Sequence, residues 1–232
     1  MNETNEVVAY YDDIADTYDE SRFGNSYGEF IDAEERMILD QVFPSDKREK
    51  RLEIACGTGR LTNYATHGLD ASVEMLAHAE RRHRNVEFRK ASAEDTGFED
   101  ESFDAVYSFH LLMHLDPAFV AEIFKEVHRI LKPGGRFVFD IPSKKRRHLL
   151  HHRQSSWHGG TEMSSEDISR LIGSDFSLNR SFGIMLLPVH KLPDRMRSSL
   201  LKRDFAMANG RMKEYSSYLV FELVKKENST AF

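Results

Sequence analysis

The sequence predicts an α/β fold in which helices cover a mainly parallel β-sheet. From Arg51 onward, short apolar runs alternate with helical patterns, which is typical of strand–helix–strand units. One of these runs, Phe103–Phe109, is apolar enough for a strand that is buried on both faces, as strands of parallel sheets are. The 232 residues contain no long linker rich in Gly, Pro or Ser, so we expect a single domain, 1–232.

Composition disfavours several classes of protein. Asp and Glu outnumber Lys and Arg by 38 to 32, and the resulting net charge of −6 disfavours nucleic acid and anionic membrane surfaces as partners. Cys56 is the only cysteine, which excludes a disulfide framework or a Cys-rich zinc site, and we expect no metal. The N-terminus has no signal-peptide pattern, and the longest uncharged apolar stretch, Ala105–Leu115, is too short to span a bilayer. We therefore expect a soluble, cytoplasmic protein.

The first 43 residues predict two helices. The first helix carries an apolar stripe with spacings of four, three and four, formed by Val7, Tyr11, Ile14 and Tyr18. The second ends before Pro44 and carries Phe30, Ile31, Ile38 and Val42.

The central segment predicts five strands and the helices between them. The strands are Leu52–Ala55, His67–Leu69, Val86–Phe88, Phe103–Phe109 and Arg136–Ile141. A short helix is expected after the glycine turn Cys56–Gly59, a second helix after the capping residue Ser72, and a third over Pro117–Leu131.

The C-terminal third begins with an irregular basic stretch after Pro142 and a helix that Ser164 opens. Phe182–Val189 and Tyr218–Val224 predict two more strands. Between them, the amphipathic segment Leu192–Met207 either packs on the core or forms a lid over an apolar substrate. Trp157, with His158 and Met163, either lines the substrate cavity under such a lid or packs in the core.

The segment LEIACGTGR, Leu52–Arg60, carries the most chemical information. A strand leads directly into a Gly-x-Gly turn, and Asp70 follows the second glycine by eleven residues. Glycines allow the backbone to approach a ligand closely, and an acid at this distance can bind vicinal ribose hydroxyls. The third glycine of the dinucleotide fingerprint is missing, which disfavours a pyrophosphate loop. Taken alone, the turn is also compatible with a purely structural role.

Five segments, in order, resemble the class I S-adenosylmethionine-dependent methyltransferases, especially the type 11 group that includes ubiquinone- and menaquinone-pathway enzymes. LEIACGTGR resembles their first motif, and GLDASVEML the segment after their second strand. SAEDTGFEDESFDAVYSFHLLMHL and EVHRILKPGGRFVF are similar to the segments around their fourth and fifth strands. YYDDIADTYDESR resembles the N-terminal segment that closes over the cofactor, so the resemblance covers Tyr10–Leu223.

This resemblance implies a Rossmann-like sheet of seven mainly parallel strands with helices on both faces and an antiparallel last strand, Tyr215–Lys225. Residues 1–43 would form a helical cover, 51–141 the cofactor-binding core and 142–232 the substrate side. The implied reaction is methyl transfer from S-adenosylmethionine to an O, N or C nucleophile of a small molecule, with an unknown oligomeric state. RNA methylation, or a non-catalytic scaffold that keeps the fold, is the alternative.

The resemblance also implies roles for individual residues. Ala55, Gly57 and Gly59 would pass under the methionine and ribose, Asp70 would bind the ribose hydroxyls, and Ala71 would lie beside the adenine. Ala93 would present its N–H to the adenine. Ser92 stands where relatives often have an Asp, so that contact could be weaker or fall to Glu94 or Asp95. Phe109 would lie near the sulfonium, and Tyr18 and Arg22 would close over the cofactor, with Arg22 facing its carboxylate.

His110 and His114 are the candidate catalytic residues. The resemblance places His110 beside the transferred methyl, and a histidine suits proton acceptance near neutral pH. Positioning of the acceptor without a base is the alternative.

The basic run Lys144–Arg147, continued by His148, His151, His152 and Arg153, is the strongest local concentration of charge. It is compatible with a solvated face, with a site for an anionic substrate group, or with a nucleic-acid contact.

Overall fold

The computed structural model describes residues 3–43, 49–151 and 160–227. For residues 3–6, only the backbone is described. Within these residues, seven strands form one sheet in the order β3-β2-β1-β4-β5-β7-β6. The strands are β1 Arg51–Ile54, β2 His67–Asp70, β3 Glu87–Lys90, β4 Phe103–Ser108, β5 Leu131–Pro142, β6 Phe176–Ile184 and β7 Tyr218–Lys225. The first five strands pair in parallel, whereas β7 runs antiparallel to both β5 and β6. The predicted fold class is therefore confirmed.

Eight α-helices surround the sheet in the described part of the chain. They are α1 Glu3–Ile14, α2 Tyr18–Phe23, α3 Ser26–Val42, α4 Val73–Arg82, α5 Pro117–Ile130, α6 Lys144–Leu149, α7 Ser165–Leu171 and α8 Asp194–Ala208. Side-chain caps fix several of their starts, as the sequence predicted for Ser72, whose Oγ accepts the Met75 N–H at 3.0 Å. Ser164 and Asp167 form a capping box at the start of α7.

Alternate residues of the central strands pack on opposite faces of the sheet. Phe137, Phe139 and Phe221 pack on one face, together with buried residues of α5 and α7. Val138 and Val220 pack on the other face, which α3 covers with Ile38 and Leu39 among others. The second predicted helix is thus part of the core rather than a peripheral cover.

Two buried carboxyl groups join α3 to the C-terminal third of the chain. Glu34 of α3 accepts the Met185 N–H at 2.7 Å, just after β6. Asp204 of α8 accepts the N–H groups of Leu186 and Leu187 at 3.0 and 2.6 Å. Burial, and then the neighbouring Asp204, raise the pKa of Glu34 to about 9. Glu34 is therefore protonated at neutral pH, and its proton allows a hydrogen bond between the two carboxyl groups.

The structure corrects three predicted elements. No α-helix follows the glycine turn: residues 55–66 hold one 3₁₀ turn, Thr62–Tyr64, because three residues of this short connection, Ala55, Gly57 and Gly59, have a positive φ that no right-handed helix contains. The stretch after Pro142 is the helix α6, capped by Ser143. Strand β6 begins at Phe176 rather than Phe182, because its outer half lies at the sheet edge and is polar.

Candidate active site

A cavity opens where the carboxyl ends of β1, β2 and β4 meet, the place where open α/β sheets bind ligands. We call it the first cavity. Nine of the eleven residues predicted to bind the cofactor line it: Tyr18, Ala55, Gly57, Asp70, Ala71, Ser92, Ala93, Glu94 and Phe109. Both candidate catalytic histidines, His110 and His114, line it as well. Gly59 and Arg22 do not.

The two glycines of the turn have different tasks. Both have a positive φ, +53° at Gly57 and +82° at Gly59, which favours glycine. A Cβ on Gly57 would meet no atom within 4 Å, so this residue leaves open space at the floor of the cavity. A Cβ on Gly59 would lie 2.9 Å from His83 and 3.1 Å from Ala79, so this glycine allows the turn to pack against α4. Gly59 does not line the first cavity, and its predicted ligand contact remains a prediction.

Asp70 connects the end of β2 to the glycine turn. One carboxylate oxygen accepts the Gly57 N–H at 2.7 Å, and the other accepts the Ser72 N–H at 2.9 Å. Burial raises the pKa of Asp70, although these N–H donors oppose that shift. The carboxylate therefore holds the turn in shape as well as facing the cavity.

The loop after β3 provides a further wall. Ser92 and Asp95 form an isolated β-bridge that shapes this loop. Glu94 has a buried carboxylate oxygen, Oε2, without a hydrogen-bond partner. A buried acceptor of this kind at a cavity wall fits a ligand that donates a hydrogen bond.

Helices α1 and α2 close the first cavity from above. Val7, Val8 and Tyr11 of α1 and Tyr18 of α2 line it. Three aspartates of this N-terminal segment bind side chains in the rest of the domain, and we call this set the latch. Asp12 accepts from Ser72 Oγ at 2.5 Å, Asp16 lies 2.9 Å from His78 Nε2, and Asp19 accepts from Thr58 Oγ1 at 2.6 Å and Arg82 Nη2 at 2.5 Å.

A second cavity of about 510 Å³ adjoins the first. The two cavities share four lining residues: Tyr11, Tyr18, His110 and His114. Beyond this common wall, the second cavity reaches α3 through Tyr27 and β7 through Tyr218. Arg22, which the sequence assigned to the cofactor, lines this cavity. Sequence reasoning missed Tyr27 and Tyr218, because only the tertiary fold brings them here.

His110 lies between two buried carboxylates. Its Nε2 is 2.6 Å from Glu35 Oε1, its Nδ1 is 3.4 Å from Asp140 Oδ2, and its backbone N–H donates to Asp140 Oδ1 at 2.6 Å. Burial lowers the pKa of His110, but the two carboxylates outweigh this effect and raise it. Burial would raise the pKa of Glu35, but Arg60 and His110 lower it to about 2. The ring therefore lies between two carboxylates that favour its charged form, an arrangement that favours positioning over proton acceptance. The base role remains a prediction.

His114 is connected to the helices above the cavity. Its Nε2 lies 3.2 Å from the Tyr11 hydroxyl, and the two rings meet edge to face at 6.2 Å. Burial raises the pKa of Tyr11 further above its ordinary value, so this hydroxyl stays protonated. His114 thus holds α1 on the wall that the two cavities share.

The basic run is bonded within the protein. Its partners are Asp167 for Lys144, Glu166 and Glu214 for Lys145, the carbonyls of Leu186 and Tyr215 for Arg146, and Glu162 for Arg147 and His148. These contacts fix α6 against α7 and the segment before β7. His152, Arg153, Trp157 and His158 lie outside the described residues. Across the described ranges, no three His, Cys, Asp or Glu side chains are grouped as metal ligands, and no helix could cross a membrane.

A family model described as a methyltransferase domain matches residues 52–139, the stretch from β1 through most of β5. Residues 52–139 belong to the methyltransferase domain family. The family predicted from the motifs is thereby confirmed for this stretch.

Curated relatives of this methyltransferase domain have several substrates. The chain is 32% identical over 136 residues to a demethylmenaquinone methyltransferase of Chlorobaculum parvum, covering 54% of the chain and 55% of the relative. It is 30% identical over 153 residues to a malonyl-[acyl-carrier protein] O-methyltransferase of a Marinomonas species, covering 60% and 54%. The chain thus spans about half the length of the curated relatives it matches.

Solved methyltransferase structures share the fold over nearly the whole chain. A possible histamine N-methyltransferase from Thermotoga maritima aligns with a TM-score of 0.71 at 20% identity, covering 94% of this chain and 99% of the other. Phosphoethanolamine N-methyltransferase 1 of Haemonchus contortus, in complex with phosphoethanolamine and S-adenosylhomocysteine, aligns with a TM-score of 0.70 at 14% identity. That alignment covers 99% of this chain and 50% of the other.

Proposed function

We propose that the protein transfers a methyl group from S-adenosylmethionine, bound in the first cavity, to an O, N or C nucleophile of a small molecule in the second. The observation that carries this proposal is the shared wall of the two cavities. Methyl transfer needs the donor and acceptor to meet in line inside an enclosed site. Two adjoining cavities separated by a few side chains provide that arrangement.

The residues of the first cavity fit this cofactor. Asp70 lies at the end of β2, where its carboxylate can accept bonds from ribose hydroxyls, and Ala71 and Ala93 provide narrow walls for the adenine. The open space at Gly57 accommodates the methionyl part. The unpartnered oxygen of Glu94 supplies the acceptor that Ser92, in place of an Asp, lacks. When bound, the cofactor supplies a methyl group on a positively charged sulfur.

The remaining residues of the wall position the acceptor and exclude water. His110 is fixed by Glu35 and Asp140, and Tyr11 is fixed by His114. Holding the reacting atoms at about 3–3.5 Å in a dry pocket supplies much of the rate of such a reaction. An acceptor that binds already deprotonated needs no base from the protein.

The experiment is calorimetric titration with S-adenosylhomocysteine. We expect one site per chain, and we expect Asp70→Ala to lose about 1–3 kcal/mol of binding, since a charge-assisted contact and the support of the glycine turn are removed. Asp13→Ala, an exposed carboxylate on α1, is the matched control and should bind like the wild type. If the folded wild type binds no S-adenosylhomocysteine, the proposal fails, and a non-catalytic scaffold is the better explanation.

A further inference from the structure

The second cavity has an unusual charge balance. Arg22 and Arg147 both line it, and none of its lining residues in the described part of the chain is Asp or Glu. Glu35 and Asp140 lie beside the ring of His110 and balance any charge on it. Glu162 lies 3.5 Å from Arg147, so Arg22 contributes most of the positive potential that a ligand meets there.

Arg22 is placed to bind a ligand. Its Nη2 donates to the Tyr10 hydroxyl at 3.3 Å, and within the described residues no carboxylate forms an ion pair with it. Its charge reaches the common wall of the cavities, where it acts to lower the pKa of Tyr11 and Tyr18. Burial outweighs this effect and raises the pKa of Tyr18 to about 12, so its hydroxyl remains a hydrogen-bond donor.

Arg147 is a residue of α6 that lines the second cavity. Its Nη1 is 3.5 Å from Glu162, and its side chain is 18% exposed. Its charge acts on Tyr218 of β7, whose pKa burial raises further above its ordinary value. This hydroxyl is also a donor rather than a base.

The walls of the cavity are aromatic. Tyr10 and Tyr11 meet edge to face at 5.4 Å, Tyr11 and Tyr18 at 5.9 Å, and Tyr18 and Phe23 at 6.1 Å. These rings are steeply inclined to one another, so they present both ring faces and ring edges to an aromatic ligand, and their hydroxyls offer hydrogen-bond donors.

We propose that the second cavity binds a small aromatic acceptor that carries an acid group, a carboxylate or a phosphate, with Arg22 and Arg147 pairing with the acid. This inference rests on the proposed function, since it names the acceptor class of that site. A cationic amine would face the charge of Arg22, which forms no ion pair within the described residues, although the aromatic walls alone would suit it. Guanidinium groups match carboxylates and phosphates by forming paired hydrogen bonds.

The test is binding of four probes of similar shape: 2-naphthoate, 2-naphthyl phosphate, 2-naphthamide and 2-naphthylmethylamine. Each is titrated into the protein alone and into the protein saturated with S-adenosylhomocysteine, and binding is followed by ligand-observed NMR at constant ionic strength. We expect at least one anion to bind about 10-fold more tightly than the amide, and the amine to bind most weakly. The better of the two anions identifies the acid group.

Arginine variants locate the site. Arg22→Gln and Arg147→Gln should each weaken binding of the anion about 5- to 20-fold, without reducing S-adenosylhomocysteine affinity more than about twofold. Arg81→Gln, an exposed arginine of α4 that lines neither cavity, should change neither. Equal binding of amide and carboxylate, or tightest binding of the amine, would overturn the inference. So would an Arg22→Gln variant that weakens only S-adenosylhomocysteine, because Arg22 would then face the cofactor. Failure of S-adenosylhomocysteine binding, by contrast, rejects the proposed function itself. The titrations of the probes into the protein alone would still test whether the second cavity prefers an anion.

Discussion

Replacing Glu34 by Gln should make the protein more stable at alkaline pH. Glu34 is fully buried beside Asp204, and its pKa rises to about 9 because burial and the neighbouring carboxylate disfavour its charge. Gln is close in size, stays neutral at every pH, and can accept the Met185 N–H while donating to Asp204. The variant therefore keeps the hydrogen bonds without requiring a bound proton.

The magnitude follows from proton linkage. The folded state keeps the Glu34 proton up to about pH 9, whereas the unfolded state releases it near its ordinary value of 4.5. Between these limits the unfolded state binds fewer protons, so Glu34 lowers the free energy of unfolding by about 1.4 kcal/mol per pH unit as the pH rises. Its contribution is most favourable below pH 4.5. At pH 7 the accumulated cost is about 3 kcal/mol, and this cost disappears in Glu34→Gln.

Urea unfolding at half-unit steps from pH 5.5 to 8.5 measures this difference. The stability of Glu34→Gln relative to the wild type should increase steadily across the series. Glu29→Gln, an exposed glutamate on the same helix, is the control and should run parallel to the wild type. If Glu34→Gln also runs parallel to the wild type, Glu34 is ionised in the folded protein, and the account of the Glu34–Asp204 pair is wrong.

Three further predictions concern the site. Asp19→Asn removes the charge that the latch offers to Arg82, so S-adenosylhomocysteine affinity should fall several-fold. In the wild type, this ligand should slow hydrogen exchange over Val7–Asp19. Equal exchange with and without the ligand would mean that α1 and α2 are fixed structure. In thermal unfolding, His110→Gln should cost more stability at pH 6 than at pH 9, because a histidine with a raised pKa stabilises the folded state most at low pH. Once an acceptor is known, full turnover of this variant from pH 6 to 9 would exclude a base role for His110. Gly57→Ala should mainly weaken S-adenosylhomocysteine binding, and Gly59→Ala should mainly lower the melting temperature, since only the second alanine would collide with α4; calorimetry and thermal melts on both variants separate the two effects.

The sequence predicted the sheet well because its strands are marked by strong local patterns. The buried strand β4 and the mainly apolar β7 are found within a residue of their expected bounds. The short helix α6 was missed because a run of like charges suggests a loop, although Ser143 is a good capping residue that precedes good helix formers. The edge strand β6 was placed too late because Ser177 and Asn179 interrupt its apolar pattern.

The first cavity was predictable and the second was not. The first is assembled from turns directly after strands, so motifs close in sequence specify it. The second brings together residues as distant as Arg22 and Tyr218, which no local pattern connects. The partners of His110 are also distant, since Glu35 lies on α3 and Asp140 on β5. For this reason the sequence could not indicate that two carboxylates surround the ring of His110.

The packing of α3 has a consequence for the order of folding. This helix is synthesised before the strands of the sheet, yet it packs on β4 and β5, and its Glu34 binds the backbone at Met185 beside Asp204 of α8. Its native partners are therefore not complete until α8 has also been synthesised. Contacts of such high sequence separation slow folding, because long loops must close before the contacts compensate for the lost entropy. Until then the apolar face of α3 stays exposed, so a nascent chain that stalls before α8 is expected to be the form most prone to aggregation and most in need of a chaperone.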